Sequence, residues 1–254
     1  MSYTFARNNY SSYENTLSEF LKSSNPNPPF LQSNEVLSIL GVDESYGRQY
    51  CKQIKEEFPE FVEAVKNGTY SKELSSYITL GQQNTFYSDD LQCTITPNSA
   101  RYIYHAHVIA LYIRTKFNTT ALDVVELGGG YGGLCYWLRL LLPSIANYTI
   151  FDLHTAGKFQ DHCLKQLNTV CLYKSNPYQF KKSNNPVFLI SNYAYSAFNE
   201  YYQNLYKHTL LKQADAGFMI WNNWSGVYKF TERPMTIVPE KPEFSGIPNT
   251  FIYF

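Results

Sequence analysis

From Thr96 onward the apolar positions of the chain fall into two alternating periods. Tyr102, Ala106, Ile109, Ala110, Ile113 and Phe117 recur at helical spacing on one face. The Thr96-Pro97 pair ahead of them reads as a helix start, with a hydroxyl to cap the first free N–H groups and a proline where none is needed. Beyond this helix, short apolar runs alternate with amphipathic stretches. The pattern predicts strands at 121–127, 148–153, 186–191 and 217–222, a weaker strand at 170–173, and helices at 132–142, 156–167 and 198–213. Strands that alternate with helices imply a mostly parallel sheet covered on both faces. The tail, 236–240 and 250–254, reads as a terminal antiparallel pair around Pro242 and Gly246.

Residues 1–95 carry a different pattern. They read as short helices joined by polar loops, with a break at Pro26, Pro28 and Pro29 and helical spacing at 45–57, 59–66 and 72–82. Nothing in that region alternates like a strand. The expected organisation is a helical N-terminal region, 1–95, serving as lid, substrate cover or dimer face, followed by a ligand-binding α/β domain, 96–254. No internal repeat or low-complexity tract is visible.

Composition narrows the function. The 254 residues carry 21 basic and 21 acidic side chains, a net charge of zero. Nucleic-acid binding needs concentrated positive charge, so no nucleic-acid partner is expected. The five cysteines are scattered and form no C-x-x-C pair, as expected of reduced thiols in a reducing compartment. The polar N-terminus has no apolar core of a signal peptide. The longest apolar stretch, 134–146, is interrupted by Arg139 and Pro143 and is too short to span a bilayer. These readings place the protein in the cytoplasm, or in a host's cytoplasm if the source is viral.

The densest chemistry lies at Asp123-Val124-Val125-Glu126-Leu127-Gly128-Gly129-Gly130-Tyr131-Gly132-Gly133. A strand runs into a glycine cluster that opens a helix. Such a loop lets a ligand approach the backbone and offers it free N–H groups. The next strand ends in Asp152, where an acid can accept hydrogen bonds from a ribose diol. Two templates fit. Gly128, Gly130 and Gly133 match the dinucleotide pattern G-x-G-x-x-G. Glu126, Gly128, Gly130 and Gly132 match E-x-G-x-G-x-G, the pattern of S-adenosylmethionine enzymes. The acid at 126 suits the ammonium of a methionine moiety and would repel a pyrophosphate. The helical leader and the antiparallel tail also favour the second template. A nicotinamide-dependent oxidoreductase and a non-catalytic cofactor-binding or partner module remain the competing readings.

The same loop, with Tyr148-Thr149-Ile150-Phe151-Asp152-Leu153 and Leu189-Ile190-Ser191-Asn192-Tyr193-Ala194-Tyr195-Ser196, resembles the sugar O-methyltransferases, class I S-adenosylmethionine-dependent enzymes, over roughly residues 96–225. The resemblance implies a Rossmann-like seven-stranded sheet, mostly parallel and ending in an antiparallel pair. It implies S-adenosyl-L-methionine as cofactor and a sugar, glycan or nucleotide-sugar hydroxyl as methyl acceptor. Glu126, Gly128, Gly129, Gly130 and Tyr131 would surround the methionine end, Asp152 would hold the ribose, Leu153 and His154 would flank the adenine, and Ser191, Asn192 and Tyr193 would lie near the sulfonium. The chain departs from the pattern at Ala197, where an acid is expected. Either Glu200 stands in for it or the role is absent.

Geometry supplies further candidates. Ligands of an open parallel sheet sit at the C-terminal strand ends, so only the first turns of the covering helices come near. On the helix from Pro97 this selects Arg101, for the methionine carboxylate, and His105, as general base. On the helix after the fourth strand it selects Glu200, a second candidate base. Tyr195, Trp221 and Trp224 could stack on sugar faces, and Asn222 and Asn223 could orient hydroxyls. Hard cations prefer carboxylates, whereas the strand ends here offer amides, so a metal-independent reaction is expected. Helical additions before such a sheet often build homodimers, which makes a homodimer the expected assembly by analogy.

Overall fold

A computed structural model describes residues 4–118, 121–222, 230–243 and 248–254, with side chains from residue 10 onward. Five helices open the chain: α1 (Thr4–Lys22), α2 (Asn34–Leu40), α3 (Glu44–Glu57), α4 (Pro59–Lys66) and α5 (Ser71–Thr79). A short antiparallel hairpin follows, β1 (Phe86–Ser88) with β2 (Cys93–Ile95). Its three-residue strands are too short to show alternation, which is why the sequence pattern gives no strand there. Then come α6 (Pro97–Lys116), β3 (Leu122–Leu127), α7 (Gly133–Leu141), β4 (Ile145–Phe151), α8 (His154–Gln166), β5 (Leu172–Lys174), β6 (Val187–Asn192), α9 (Ala194–Ala197), α10 (Glu200–Thr209), β7 (Ala216–Trp221), β8 (Thr236–Pro239) and β9 (Thr250–Tyr253).

The seven later strands form one sheet in the order β5-β4-β3-β6-β7-β9-β8. Neighbours from β5 through β7 pair in parallel, and β9 pairs antiparallel with both β7 and β8. This is the Rossmann-like sheet of class I methyltransferases. Strand order reverses between β4-β3 and β6-β7, and the crevice at such a switch point is where ligands of α/β sheets bind.

Every position of β3 and β7 is buried, as expected of strands covered on both sides. Alternate residues feed two cores. Val124 joins α6, α7 and α8 on one face, while Val125 and Leu127 join Tyr206, Leu210 and Leu211 on the other. The N-terminal helices have no core of their own. Leu17, Phe30, Tyr50 and Tyr77 lie in the same cluster as α6–α8. His162 and Gln166 of α8 both meet the Pro26 carbonyl, at 2.9 and 2.7 Å. Residues 1–95 therefore rest directly on the helix layer beside the crevice.

Candidate active site

The glycine loop joins β3 to α7 with positive φ at Gly128 (+74°), Gly130 (+57°) and Gly132 (+90°). At Gly128 the demand is also spatial, since a Cβ there would sit 2.3 Å from the Ala194 Cβ. The loop after β3 is thus pressed against the loop after β6. Gly129 N–H donates to Asp152 Oδ2 (3.0 Å), which also accepts from Gln160 Nε2 (2.7 Å). Asp152 Oδ1 accepts from Leu153 N–H (2.8 Å), and Gln160 Nε2 reaches the Gly130 carbonyl at 3.1 Å. Burial pushes the half-buried Asp152 carboxyl up to about 6, with these hydrogen bonds pulling the other way. Gln160 Oε1 is buried beside it without a hydrogen-bond partner. Helix α1 covers this end: the Tyr10 and Tyr13 hydroxyls are driven upward by burial and by the charge of Asp152.

Glu126, 2% exposed, accepts from Tyr148 OH at 2.8 Å. Burial pushes it up to about 8, against that hydrogen bond and with a further push from Asp152. Burial thus favours the protonated form of the acid at this position, and a cation brought against it would favour the charged form.

The other end of the crevice is built around Tyr193, just past β6. Its φ of +65° is unusual for an aromatic residue. The surroundings hold it there: Tyr193 N–H donates to the Ile220 carbonyl (2.9 Å), and Asn222 Nδ2 donates to the Tyr193 carbonyl (3.0 Å). The Tyr193 hydroxyl donates to Glu240, which follows β8. Asn249 Nδ2 donates to the other carboxylate oxygen at 2.9 Å, and Glu240 is only 3% exposed. From α6 come Arg101 and His105, both buried. Arg101 donates to the Leu40 carbonyl (3.0 Å) and Asn98 Oδ1 (3.3 Å). The His105 ring stands edge-on to Tyr50, with centroids 5.5 Å apart, and its Nδ1 lies 3.4 Å from Asn192 Nδ2.

The direction of that contact follows the imidazole tautomer and the orientation of the Asn192 amide. Burial, and then Arg101, hold His105 well below the usual histidine range. His105 Nε2, Tyr50 OH and Asn192 Oδ1 are all buried without a hydrogen-bond partner. Each such group costs about 1–3 kcal/mol when left unsatisfied. Their concentration around Tyr193 marks a place built for a polar ligand.

Several sequence candidates lie elsewhere. Tyr195 and Trp221, 1% and 0% exposed, belong to the core on the opposite sheet face, where Trp221 stacks on Phe230. Their rings have no face left for a sugar. The Ser191 hydroxyl bridges the Leu127 carbonyl (3.2 Å) and Tyr195 N–H (2.9 Å), fastening β6 to β3. Asn222 holds Tyr193 and Ser196. Tyr131 is fully buried against Tyr102, Phe30 and Tyr77. Glu200 is exposed at the start of α10, a solvated helix terminus and no partner for a buried proton. Leu153 and His154 sit exposed at the rim beside Asp152, with His154 Nδ1 3.2 Å from Tyr173 OH. Asn223 and Trp224 lie outside the described residues. Sequence reasoning missed Tyr50, Gln160, Glu240 and Asn249. For Glu240 one signal was present: an acid at the end of a tail strand on the ligand edge of the sheet.

Among the described residues no group of three or more His, Cys, Asp or Glu side chains is arranged to hold a metal ion, and no helix is long and apolar enough to cross a membrane. No protein-family model matches the chain, and no curated protein does. Three solved structures show how far the likeness to known proteins extends. Magnesium protoporphyrin IX methyltransferase from Synechocystis PCC 6803 with bound SAM has a TM-score of 0.43 and 12% identity, over 61% of this chain and 82% of that one. Precorrin-6y C5,15-methyltransferase from Geobacter metallireducens GS-15 has a TM-score of 0.44 and 11% identity, over 58% and 85%. The plantazolicin methyltransferase BpumL in complex with SAH has a TM-score of 0.42 and 12% identity, over 82% and 94%. At these values the likenesses say nothing of substrate or site, and the fold stands on its own strand order.

Proposed function

We propose that this protein is an S-adenosylmethionine-dependent methyltransferase that methylates a hydroxyl of a sugar or glycan. One observation carries the reading. The glycine loop and Asp152 meet at the C-terminal edge of β3 and β4, in a sheet whose β9 runs antiparallel between β7 and β8. The antiparallel strand sets this sheet apart from the all-parallel dinucleotide fold, and so favours the adenosyl cofactor over NAD.

The residues fit the cofactor. Gly128 and Gly130, both at positive φ, present loop backbone at the ligand edge of the sheet. The orphaned Gln160 Oε1 and the Asp152 carboxylate offer acceptors for a ribose diol. Glu126 would regain its charge against an ammonium, and the buried Arg101 guanidinium suits a carboxylate. When bound, S-adenosylmethionine supplies a methyl group on a cationic sulfur. The protein's part is to orient the acceptor oxygen, exclude water and receive a proton. The sugar reading is supported by the Tyr193 end, where donors and acceptors lie among aromatic rings, as a polyhydroxylated acceptor requires. The reaction needs no metal in this reading.

Isothermal titration in chelator-containing buffer tests the assignment. S-adenosylhomocysteine should bind and NAD should not. Binding of NAD alone would replace this reading with the oxidoreductase, and binding that appears only with added magnesium would remove its metal-independent part. Failure to methylate any sugar acceptor, with the cofactor bound, would leave the non-catalytic module.

A further inference from the structure

We propose that Glu240 is the acid of the transfer pocket: it faces the cationic donor as counter-charge and holds the acceptor's proton when transfer is complete. The inference rests on the methyltransferase reading above.

Position comes first. Strand β9 is antiparallel to both β7 and β8, so β8 runs parallel to β7 and ends on the same edge as β3, β4 and β6. Glu240, the next residue, therefore emerges where the glycine loop and Asp152 lie. It is fixed there. Its N–H donates to the Asn249 carbonyl (3.0 Å), Asn249 Nδ2 donates to Oε2 (2.9 Å), and Tyr193 OH donates to Oε1. Asn249 is itself 1% exposed. A buried carboxylate gripped in this way is expensive in a purely structural hairpin. Here it also touches the one aromatic residue held at positive φ, Tyr193.

The second observation is the set of unsatisfied groups around the same tyrosine. His105 Nε2, Tyr50 OH and Asn192 Oδ1 have no partner. The charges of Glu240 and Arg101 both act on the Tyr50 and Tyr193 hydroxyls, so the acid and the guanidinium lie near the same pair of tyrosines. Beside them, Glu240 is a buried carboxylate of this cluster, joined to it through Tyr193.

Charge balance gives the role. The methionine end of the donor carries an ammonium, a carboxylate and a sulfonium. Glu126 and Arg101 match the first two, and Glu240 matches the third. In the transfer the acceptor's O–H bond breaks and its oxygen bonds to the methyl carbon as the carbon–sulfur bond opens. The sulfur leaves as a neutral thioether, and the proton passes through the Tyr193 hydroxyl to Glu240. Positive sulfur and negative carboxylate disappear together, so a water-poor pocket favours the step. The same carboxylate holds the cation and takes the proton, so a pocket without the first role lacks the second.

The role predicts discrimination between a cationic and a neutral ligand, readable without an acceptor. Titrations of S-adenosylmethionine and S-adenosylhomocysteine into full-length wild type, Glu240→Gln and Tyr193→Phe give the affinity ratio. Glu240→Gln should weaken S-adenosylmethionine about tenfold and leave S-adenosylhomocysteine within about twofold. Tyr193→Phe, which removes one hydrogen bond to the carboxylate, should shift the ratio the same way by about two- to threefold. Thermal melts report folding, and if Glu240→Gln does not fold, Tyr193→Phe decides alone. An unchanged ratio, or equal loss of both ligands, overturns the proposal. Wild type that binds neither nucleoside is a different result and sinks the methyltransferase reading beneath it.

Discussion

At the Asp152 end of the crevice the polar contacts join residues no more than 30 apart in the chain, both Asp152 oxygens already accept from Gly129, Leu153 and Gln160, and one buried atom, Gln160 Oε1, has no hydrogen-bond partner. At the Tyr193 end the contacts bridge 87 residues from His105 to Asn192 and 47 from Tyr193 to Glu240, and three buried polar atoms around them have no partner. A self-satisfied carboxylate in a local loop is a preorganised grip, since ordering it needs only one supersecondary unit. A cluster assembled from α3, α6, β6 and the tail is stable only through the whole fold, and it keeps unsatisfied groups that a ligand can fill. The first end reads as the binding half of the crevice and the second as its reacting half.

The largest expected effect tests whether the binding half is charge-poor until a cation arrives. Glu126 ionises near 4.5 when unperturbed and near 8 in the fold, where burial is the leading cause. Its folded value is raised. The native state therefore keeps a proton that the unfolded chain has lost, and this group's contribution to stability falls as pH rises from about 4.5 to about 8, then levels off. A shift of that size corresponds to about 4–5 kcal/mol. Glu126→Gln, a mimic of the protonated acid, should flatten the fall in urea denaturation midpoints between pH 5 and pH 8.5. Equal slopes for variant and wild type would show that Glu126 is charged throughout.

Gly128→Ala comes next. It forces an L-residue to φ +74° and drives a methyl to within 2.3 Å of the Ala194 Cβ. The left-handed conformation costs about 1–2 kcal/mol and the overpacking about 1–3 kcal/mol, so stability should fall by roughly 2–5 kcal/mol. Because the contact is with the loop that carries Tyr193, this substitution should couple the two halves and also weaken S-adenosylhomocysteine binding. A stable variant that binds normally would show that the loops after β3 and β6 move apart freely.

The same contrast in chain separation explains what was legible in the sequence. Periodicity located all seven sheet strands and their helices to within a few residues, most clearly where burial on both faces leaves long apolar runs such as β3 and β7. The Glu126–Asp152 unit was visible because strand, glycine turn and following acid are neighbours in the chain. Tyr50 was not visible, since nothing local distinguishes a tyrosine on α3 from any other, and Glu240 carried only the signal of an acid at the end of a tail strand. Tyr195 and Trp221 show the opposite error. An aromatic residue at a strand end looks exposed in sequence, but Tyr195 of α9 packs on Trp221, and Phe230 covers both. Ser191 and Asn222 sit where ligand contacts were expected and spend their hydrogen bonds on the backbone. A residue type at a strand end shows only what could reach the crevice, and the competing partners come from distant chain.

The smallest expected effect separates the halves most directly, because the same chemical change should act oppositely in each. Tyr148 OH donates to Glu126 at 2.8 Å, whereas the buried Tyr50 OH makes no hydrogen bond of full geometry and has the Tyr193 hydroxyl beside it. Removing the first hydroxyl leaves a buried carboxyl short of a donor, so Tyr148→Phe should destabilise by about 1–2 kcal/mol. Removing the second deletes an unsatisfied polar group while preserving the ring that packs on Tyr104 and His105. Tyr50→Phe should therefore be neutral or stabilising by up to about 1 kcal/mol. Stability gained by deleting a hydroxyl is expected only where that hydroxyl is kept for a ligand and not for the fold. Chemical denaturation of the two variants side by side makes the comparison. Equal losses would mean that Tyr50 has a partner in solution, and the Tyr193 end would then be as self-satisfied as the Asp152 end.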